Sequence, residues 1–246
     1  MPVLLLGGTS EGRALAARLH PRTDVISSLA GRVPDPALPP GPVRIGGFGG
    51  VEGLRRWLTA NAVTAVVDAT HPFASGMTAN AAAACAELGL PHLVLCRPGW
   101  EPGDATLVSS NEEAARTVAA QGYSRVFLTT GRSGTTAFRD STAWFLIRVV
   151  TAPDADTLPA NHELLFSRGP YRYAGESALL TDRRIDALIT KNSGGALTRA
   201  KLDAAQALGV AVVMIDRPPL PDGVAVVGSV DEAADWVVKN GCSQPG

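Results

Sequence analysis

Short polar clusters that follow apolar runs carry the chemistry available to this chain, and the sharpest of them comes first. Leu6 opens into Gly7-Gly8-Thr9-Ser10-Glu11-Gly12, which supplies the first and last glycines of a dinucleotide fingerprint while Thr9 replaces the middle one. Gly8, Thr9 and Ser10 then offer backbone N–H groups and hydroxyls to a pyrophosphate at a helix start. The same glycines would equally serve a tight turn that binds nothing. A P-loop fits worse, because Arg13-Ala14 stand where Lys and then Ser or Thr are needed. The next apolar run ends in Ser27-Ser28-Leu29-Ala30-Gly31-Arg32 and has no acid at its carboxyl end to bond a ribose 2′-hydroxyl. Ser27, Ser28 and Arg32 suit the 2′-phosphate of NADPH instead, the arginine by a bidentate grip. The plain alternative is a solvated loop arginine.

Three further clusters extend the pattern. Gly46-Gly47-Phe48-Gly49-Gly50 describes a backbone that a flat ligand can approach closely, with Gly47 on the cofactor side and Phe48 placed for stacking, or else a simple connector. Val67-Asp68-Ala69-Thr70-His71-Pro72-Phe73 sets Asp68, Thr70 and His71 at the carboxyl end of a run, where a histidine can serve as acid or base or merely bond locally. In the second half, Ser167-Arg168-Gly169-Pro170-Tyr171 and Thr190-Lys191-Asn192-Ser193-Gly194-Gly195 concentrate hydroxyls with cations. Together with Arg97 and Arg217, such a group fits a substrate bearing carboxylates. Each arginine or lysine taken alone reads as solvated surface.

Other chemistries are set aside. No H-E-x-x-H, clustered Cys/His or Asp-rich loop offers a metal cage, and Gly131-Arg132-Ser133-Gly134 lacks the residue that a G-x-S-x-G elbow places between Ser and Gly. With 22 Lys+Arg against 23 Asp+Glu, the net charge of −1 draws the protein to neither nucleic acid nor an anionic membrane. No apolar stretch reaches the roughly 18 residues of a membrane span, so the chain is expected to be cytoplasmic. Cys85, Cys96 and Cys242 form no CxxC pair and are expected to be buried thiols.

The elements that must position these groups follow an α/β pattern, with β-type runs too continuous for half-exposed strands. Val3–Leu6, Val25–Ser28, Val43–Ile45, Val63–Val67 and Leu93–Cys96 read as strands of a first series, and Val126–Leu128, Trp144–Val150, Leu164–Phe166, Ala187–Ile189 and Val210–Ile215 as those of a second. The Ala-rich stretch from Ala74 to Leu88 reads as a helix closed by Gly89. The series repeat one plan: Gly89 and Gly209, like Arg97 and Arg217, stand 120 residues apart. Each Arg-Pro leads through a loop to a capping signature, Ser110-x-x-Glu113 or Ser229-x-x-Glu232. The expected architecture is two similar Rossmann-like domains with parallel sheets facing a shared cleft. They span residues 1–98, which bind cofactor, and 99–246, which supply substrate-side residues, with the terminal helix free to pack on either.

Leu6-Gly7-Gly8-Thr9-Ser10-Glu11-Gly12-Arg13, Asp68-Ala69-Thr70-His71-Pro72-Phe73-Ala74, Ser167-Arg168-Gly169-Pro170 and Thr190-Lys191-Asn192-Ser193-Gly194-Gly195, in this order, resemble the precorrin-6A reductases of cobalamin biosynthesis. The resemblance covers essentially the whole chain. It implies an oxidoreductase that uses NADPH to reduce one double bond of a tetrapyrrole, giving precorrin-6B, with hydride delivered to C19 and a proton to C18. It also implies that the Gly8-Thr9-Ser10 turn and the Thr70 loop hold cofactor, while Tyr171, Lys191 and Ser193 face substrate. Lys191, Tyr171 and His71 are the candidate donors for the proton or for polarising the macrocycle. Two rival readings come from other classes: an S-adenosylmethionine-dependent methyltransferase using the glycine loop, and a nucleotide sensor that consumes nothing. The oligomeric state is left open.

Overall fold

The computed structural model describes residues 2–31 and 37–241. Arg32 and Cys242 lie outside the described residues. Along the chain run β1 (Val3–Leu6), α1 (Ser10–Leu19), β2 (Val25–Leu29), β3 (Val43–Ile45), α2 (Gly50–Ala60), β4 (Ala65–Asp68), α3 (Ser75–Leu88) and β5 (His92–Leu95). They are followed by β6 (Thr106–Val108), α4 (Asn111–Gln121), β7 (Arg125–Leu128), β8 (Trp144–Val149), β9 (His162–Phe166), α5 (Tyr173–Asp182) and β10 (Ala187–Lys191). The chain continues through α6 (Ala200–Leu208), β11 (Ala211–Ile215), β12 (Ala225–Val227) and α7 (Val230–Asn240).

The strands form two six-stranded sheets, ordered β12-β5-β4-β1-β2-β3 and β6-β11-β10-β7-β8-β9. Every pairing is parallel. That explains the unbroken apolar runs: helices cover both faces of such a sheet, and all four residues of β1 and of β4 are buried. In the first sheet the chain starts at central β1, winds outward to β3, then returns to β4 and winds outward on the other side; in the second it sets β6 at an edge and then follows the same course from central β7. The switch points therefore lie between β1 and β4 and between β7 and β10. In sheets of this kind ligands bind outside the carboxyl ends of the strands at that point.

Residues up to Pro98 and those from Pro218 onward form one compact unit, and Gly99–Arg217 the other. The terminal helix, which the sequence left free to pack on either side, packs in the first. The repeated Arg-Pro step explains this. After Arg97-Pro98 the chain supplies β6 to the second sheet, and after Arg217-Pro218 it supplies β12 to the first, beside β5. These two edge strands, each three residues long, were not among the expected strands.

One face of the first sheet buries Val3, Leu5, Leu15, Leu19, Val67 and Leu93 together with Ala233 and Val237 of α7. The opposite face packs Leu4, Leu6 and Val66 against Leu54, Leu58 and Ala81. In the second unit Phe127, Leu146, Leu188 and Met214 pack with Leu180 of α5 and Leu202 of α6. Cys85 is buried, and burial pushes its thiol up to about 12. Cys96 is only half-buried, because it falls just past the end of β5. Among the described residues no helix is long and apolar enough to cross a membrane.

Candidate functional site

In the first unit the motifs gather at the β1/β4 switch point. Gly8 has φ +118°, a conformation that L side chains rarely adopt, and nothing lies within 4 Å of where a Cβ would stand. Thr9 is the N-cap of α1. Its hydroxyl accepts from Gly12 N at 3.0 Å and donates to Ala69 O at 2.7 Å. That side chain fastens the turn to the end of β4, so what the turn presents outward is its backbone and Ser10. Gly12 is closely packed: a Cβ there would meet Gly7 Cα at 3.3 Å and Ala69 Cβ at 3.5 Å, so the turn would have to give by a few tenths of an ångström. Ser10 Oγ donates to Glu11 Oε2 at 3.0 Å.

Glu11 is also gripped by Arg97, 2.6 Å away. Burial alone would raise the Glu11 carboxyl, but a backbone hydrogen bond, Arg97 and the Ser10 hydroxyl outweigh it and hold the pKa below its ordinary value. Arg97, expected on the substrate side, thus stands in the first unit beside the glycine turn. Across the switch point, Asp68 is 1% exposed. Its Oδ1 accepts from Thr70 N at 2.9 Å and Thr70 Oγ1 at 2.6 Å, while Oδ2 is buried with no partner among the described residues. His71 is exposed, and its Nδ1 accepts from Phe73 N at 3.2 Å. The neutral ring therefore carries its proton on Nε2.

Ser27 and Ser28 close β2, but they differ. Ser27 is 1% exposed, and its Oγ is buried in the sheet with no partner among the described residues. Ser28 Oγ instead accepts from Arg44 Nη1 at 3.3 Å. Arg44 was missed in the sequence. Its Nη1 also donates to Gly46 O and its Nη2 to Gly47 O at 2.7 Å, and its guanidinium lies 3.8 Å from the centre of the Phe48 ring. Phe48 in turn meets Trp57 edge-on at 5.5 Å, so the face it was expected to offer a ligand is shared with Arg44. Among the described residues, a Cβ at Gly46, Gly47, Gly49 or Gly50 would meet nothing within 4 Å.

A reduced dinucleotide fits this donor set. An open glycine turn begins a helix at the switch point, and a second open glycine run lies at the end of β3. The buried Asp68 Oδ2 calls for a hydrogen-bond donor, which a ribose hydroxyl or a carboxamide supplies. Gly8, Ser10, Gly47, Asp68 and Thr70 are the residues that would hold it.

The second unit is built around β10. Burial lowers the pKa of the Lys191 ammonium at its carboxyl end. The turn that follows is tight: Ser193 N donates to Lys191 O at 2.7 Å, and Gly194 and Gly195 have φ +67° and +77°. Asn192 is a clamp. Its Oδ1 accepts from Trp100 N at 2.7 Å, its Nδ2 donates to Trp100 O at 3.3 Å, and its carbonyl accepts from Arg217 Nε at 2.8 Å. One residue of the motif thus holds both chain segments that enter and leave this unit.

Tyr171 donates from Oη to Ser167 O at 3.2 Å, and its ring lies 3.9 Å from the Arg148 guanidinium. Arg148 in turn grips Glu176 with bonds of 2.9 and 2.7 Å, both side chains being buried. Burial, with Arg148 alongside, pushes the neighbouring Lys201 ammonium down to about 8 against the pull of Glu176. This buried charge network is invisible to pattern reading because each member sits on a different element. Arg168 is exposed. The turn after β7 continues into short 3-10 segments at Arg132–Gly134 and Thr136–Phe138, with no α-helix like α1. That half of the repeat therefore lacks the helix start available after β1. A cavity of about 450 Å³ lies at the other end of β11, between Pro102, Leu202 and Val212, and holds none of the motif residues.

Comparison with known proteins yields one family. The profile described as "Precorrin-6x reductase CbiJ/CobK" matches residues 2–238. The chain is 69% identical over 235 residues to the "Precorrin-6A reductase" of Mycobacterium tuberculosis, covering 96% of each chain. It is 51% identical over 245 residues to that of Rhodococcus erythropolis, again covering 96% of each. A solved structure titled "CobK precorrin-6A reductase" is 38% identical, covers 99% of this chain and 98% of its own, and superposes with a TM-score of 0.89.

Proposed function

The chain belongs to the precorrin-6x reductase family, and from that premise we propose that it reduces one ring double bond of precorrin-6A, giving precorrin-6B, with NADPH as the reductant. The cofactor, when bound, supplies a hydride, directed to C19 of the macrocycle with the matching proton going to C18. The observation that supports a dinucleotide is the first unit's switch point, where the open Gly8 turn starts α1 after β1 and the neighbouring strand β4 ends in Asp68, whose buried Oδ2 has no partner among the described residues.

The protein's own share is binding, orientation and the proton. Gly8 and Ser10 receive the pyrophosphate, and Glu11 is kept from repelling it by Arg97. Asp68, its Oδ1 fixed by Thr70, turns Oδ2 to a donor on the dinucleotide. Lys191, Ser193, Arg168 and Tyr171 receive the substrate, whose acetate and propionate groups call for cations and hydroxyls. Of the three candidate donors, Tyr171 already spends its hydroxyl hydrogen on Ser167 O. Lys191 is the one whose proton burial loosens, and we assign it the donation to C18. His71, its Nδ1 bonded to Phe73 N on the cofactor loop, orients neighbouring groups.

The test is a fluorescence titration of the purified protein with NADPH, NADH and S-adenosylmethionine in separate series. NADPH is expected to bind tightly and in preference to NADH. Binding of S-adenosylmethionine alone would return the glycine turn to the methyltransferase reading, and binding of NADPH without turnover of precorrin-6A would favour a sensor.

A further inference from the structure

Arg44 differs from Arg97 and Arg55 of the same unit, each of which grips a carboxylate, at 2.6 and 2.9 Å. Arg44 is partly buried, and among the described residues no carboxylate lies within 4.0 Å of it. Its anchors are all neutral: Ser28 Oγ and the carbonyls of Gly46 and Gly47. Partly desolvating a cation without a counter-charge costs free energy that these neutral acceptors offset only in part, which marks the site as one built for an anion.

Three observations say which anion. First, Arg44 lies on β3 opposite Ser28 of β2, and in a sheet of this winding the carboxyl end of the second strand is where the adenosine ribose of a dinucleotide rests. Second, β2 itself ends in Ser27, Ser28 and Leu29 and so places no acid at its carboxyl end to claim a free 2′-hydroxyl or to repel a phosphate. Third, the guanidinium is held in place before any ligand arrives, by two carbonyls and by the Phe48 ring at 3.8 Å. Its three bonds leave two of the five guanidinium N–H donors for a ligand. Among the described residues, nothing stands within 4 Å of where a Cβ at the neighbouring Gly46 or Gly47 would lie.

We infer that Arg44, with Ser28, receives the 2′-phosphate of the cofactor and is the residue that selects NADPH over NADH. This rests on the dinucleotide reading above. The competing role is purely structural, with Arg44 serving only to fold the glycine loop against Phe48.

Dissociation constants measured by fluorescence for NADPH and NADH, and by calorimetry for 2′,5′-ADP and 5′-AMP, separate the two roles in the wild type, Arg44→Met, Arg44→Lys, Ser28→Ala and Arg32→Ala. A charge-assisted contact to phosphate predicts that Arg44→Met weakens NADPH and 2′,5′-ADP by about tenfold to a hundredfold. NADH and 5′-AMP should change far less, and Arg44→Lys should recover part of the loss. Equal weakening of all four ligands assigns Arg44 to the loop alone and overturns the inference. So does full selectivity in Arg44→Met with its loss in Arg32→Ala. A wild type that prefers NADPH while Arg44→Met is unchanged sinks only the role of Arg44. A wild type that binds neither dinucleotide removes the cofactor reading itself.

Discussion

Lys191 is the residue on which the proposed chemistry turns. Its folded-state pKa is lowered by burial, so the protonated form needed for donation persists only up to a pH below that of a solvated lysine. The turnover number should accordingly fall as pH rises through that lowered value. Lys191→Arg keeps the charge that holds substrate carboxylates but has no proton to give. It should leave KM for the tetrapyrrole close to wild type, lower kcat by about a hundredfold or more, and abolish the alkaline limb of the pH profile. A Lys191→Arg enzyme with wild-type kcat would remove Lys191 from the proton step, and an NADPH dissociation constant that rises in the same variant would remove Lys191 from the substrate side. At this scale the sequence yielded residue types but not their duties. The sequence suggests Thr9 for pyrophosphate, as a hydroxyl in the glycine turn, and Ser27 for the 2′-phosphate, as a hydroxyl at a strand end that has no acid. The fold spends Thr9 on Gly12 N and Ala69 O and seals Ser27 inside the sheet. Arg44 went unread because an arginine on a three-residue strand looks solvated until Ser28, Gly46 and Phe48 are brought around it.

The strand–turn–helix from β1 to α1 depends on the Thr9 hydroxyl as well as on its glycines. Thr9 caps the helix and ties it to the end of β4, so Thr9→Ala removes the cap and leaves the Ala69 carbonyl without that donor. The expected loss is about 1–3 kcal/mol, with Thr9→Ser restoring most of it, as read from denaturant midpoints. A Thr9→Ala protein as stable as wild type would mean that the hydroxyl is spent elsewhere. Most elements were legible in the sequence for physical reasons. Strands of a buried parallel sheet show as apolar runs, and helix ends show as capping residues. Ser110 and Ser229 do accept from Glu113 N and Glu232 N. The expected strand ends were off by one or two residues, as at Val63–Val67 against Ala65–Asp68, because the apolar run and the ladder do not stop at the same residue: Val63 precedes the ladder and Asp68 continues it. β6 and β12 went unread: each is a short edge strand supplied across an Arg-Pro step to the other half's sheet.

The repeat governs the molecule as a whole, because each half lends its last strand and helix to the other half's sheet. Helix α7 thus belongs to the core of β1, although more than 200 residues separate Val237 from Val3. Val237→Asp would bury an unpaired carboxylate there, at a cost on the order of 4 kcal/mol. Amide exchange should then quicken in residues 2–98 while 99–217 keep their protection. Faster exchange confined to 99–217 would contradict the exchange of strands. The duplication was legible through paired Gly, Arg-Pro and Ser-x-x-Glu markers, whereas the crossing of the final segment depends on pairings that no local signal encodes. The central claim, that this chain reduces precorrin-6A at the expense of NADPH, is tested most directly by mixing enzyme, NADPH and precorrin-6A under anaerobic conditions and following both partners. The expected result is loss of the reduced-nicotinamide absorbance in equal measure with a product two hydrogens heavier, and much slower loss with NADH. Unchanged tetrapyrrole in the presence of bound NADPH would contradict it.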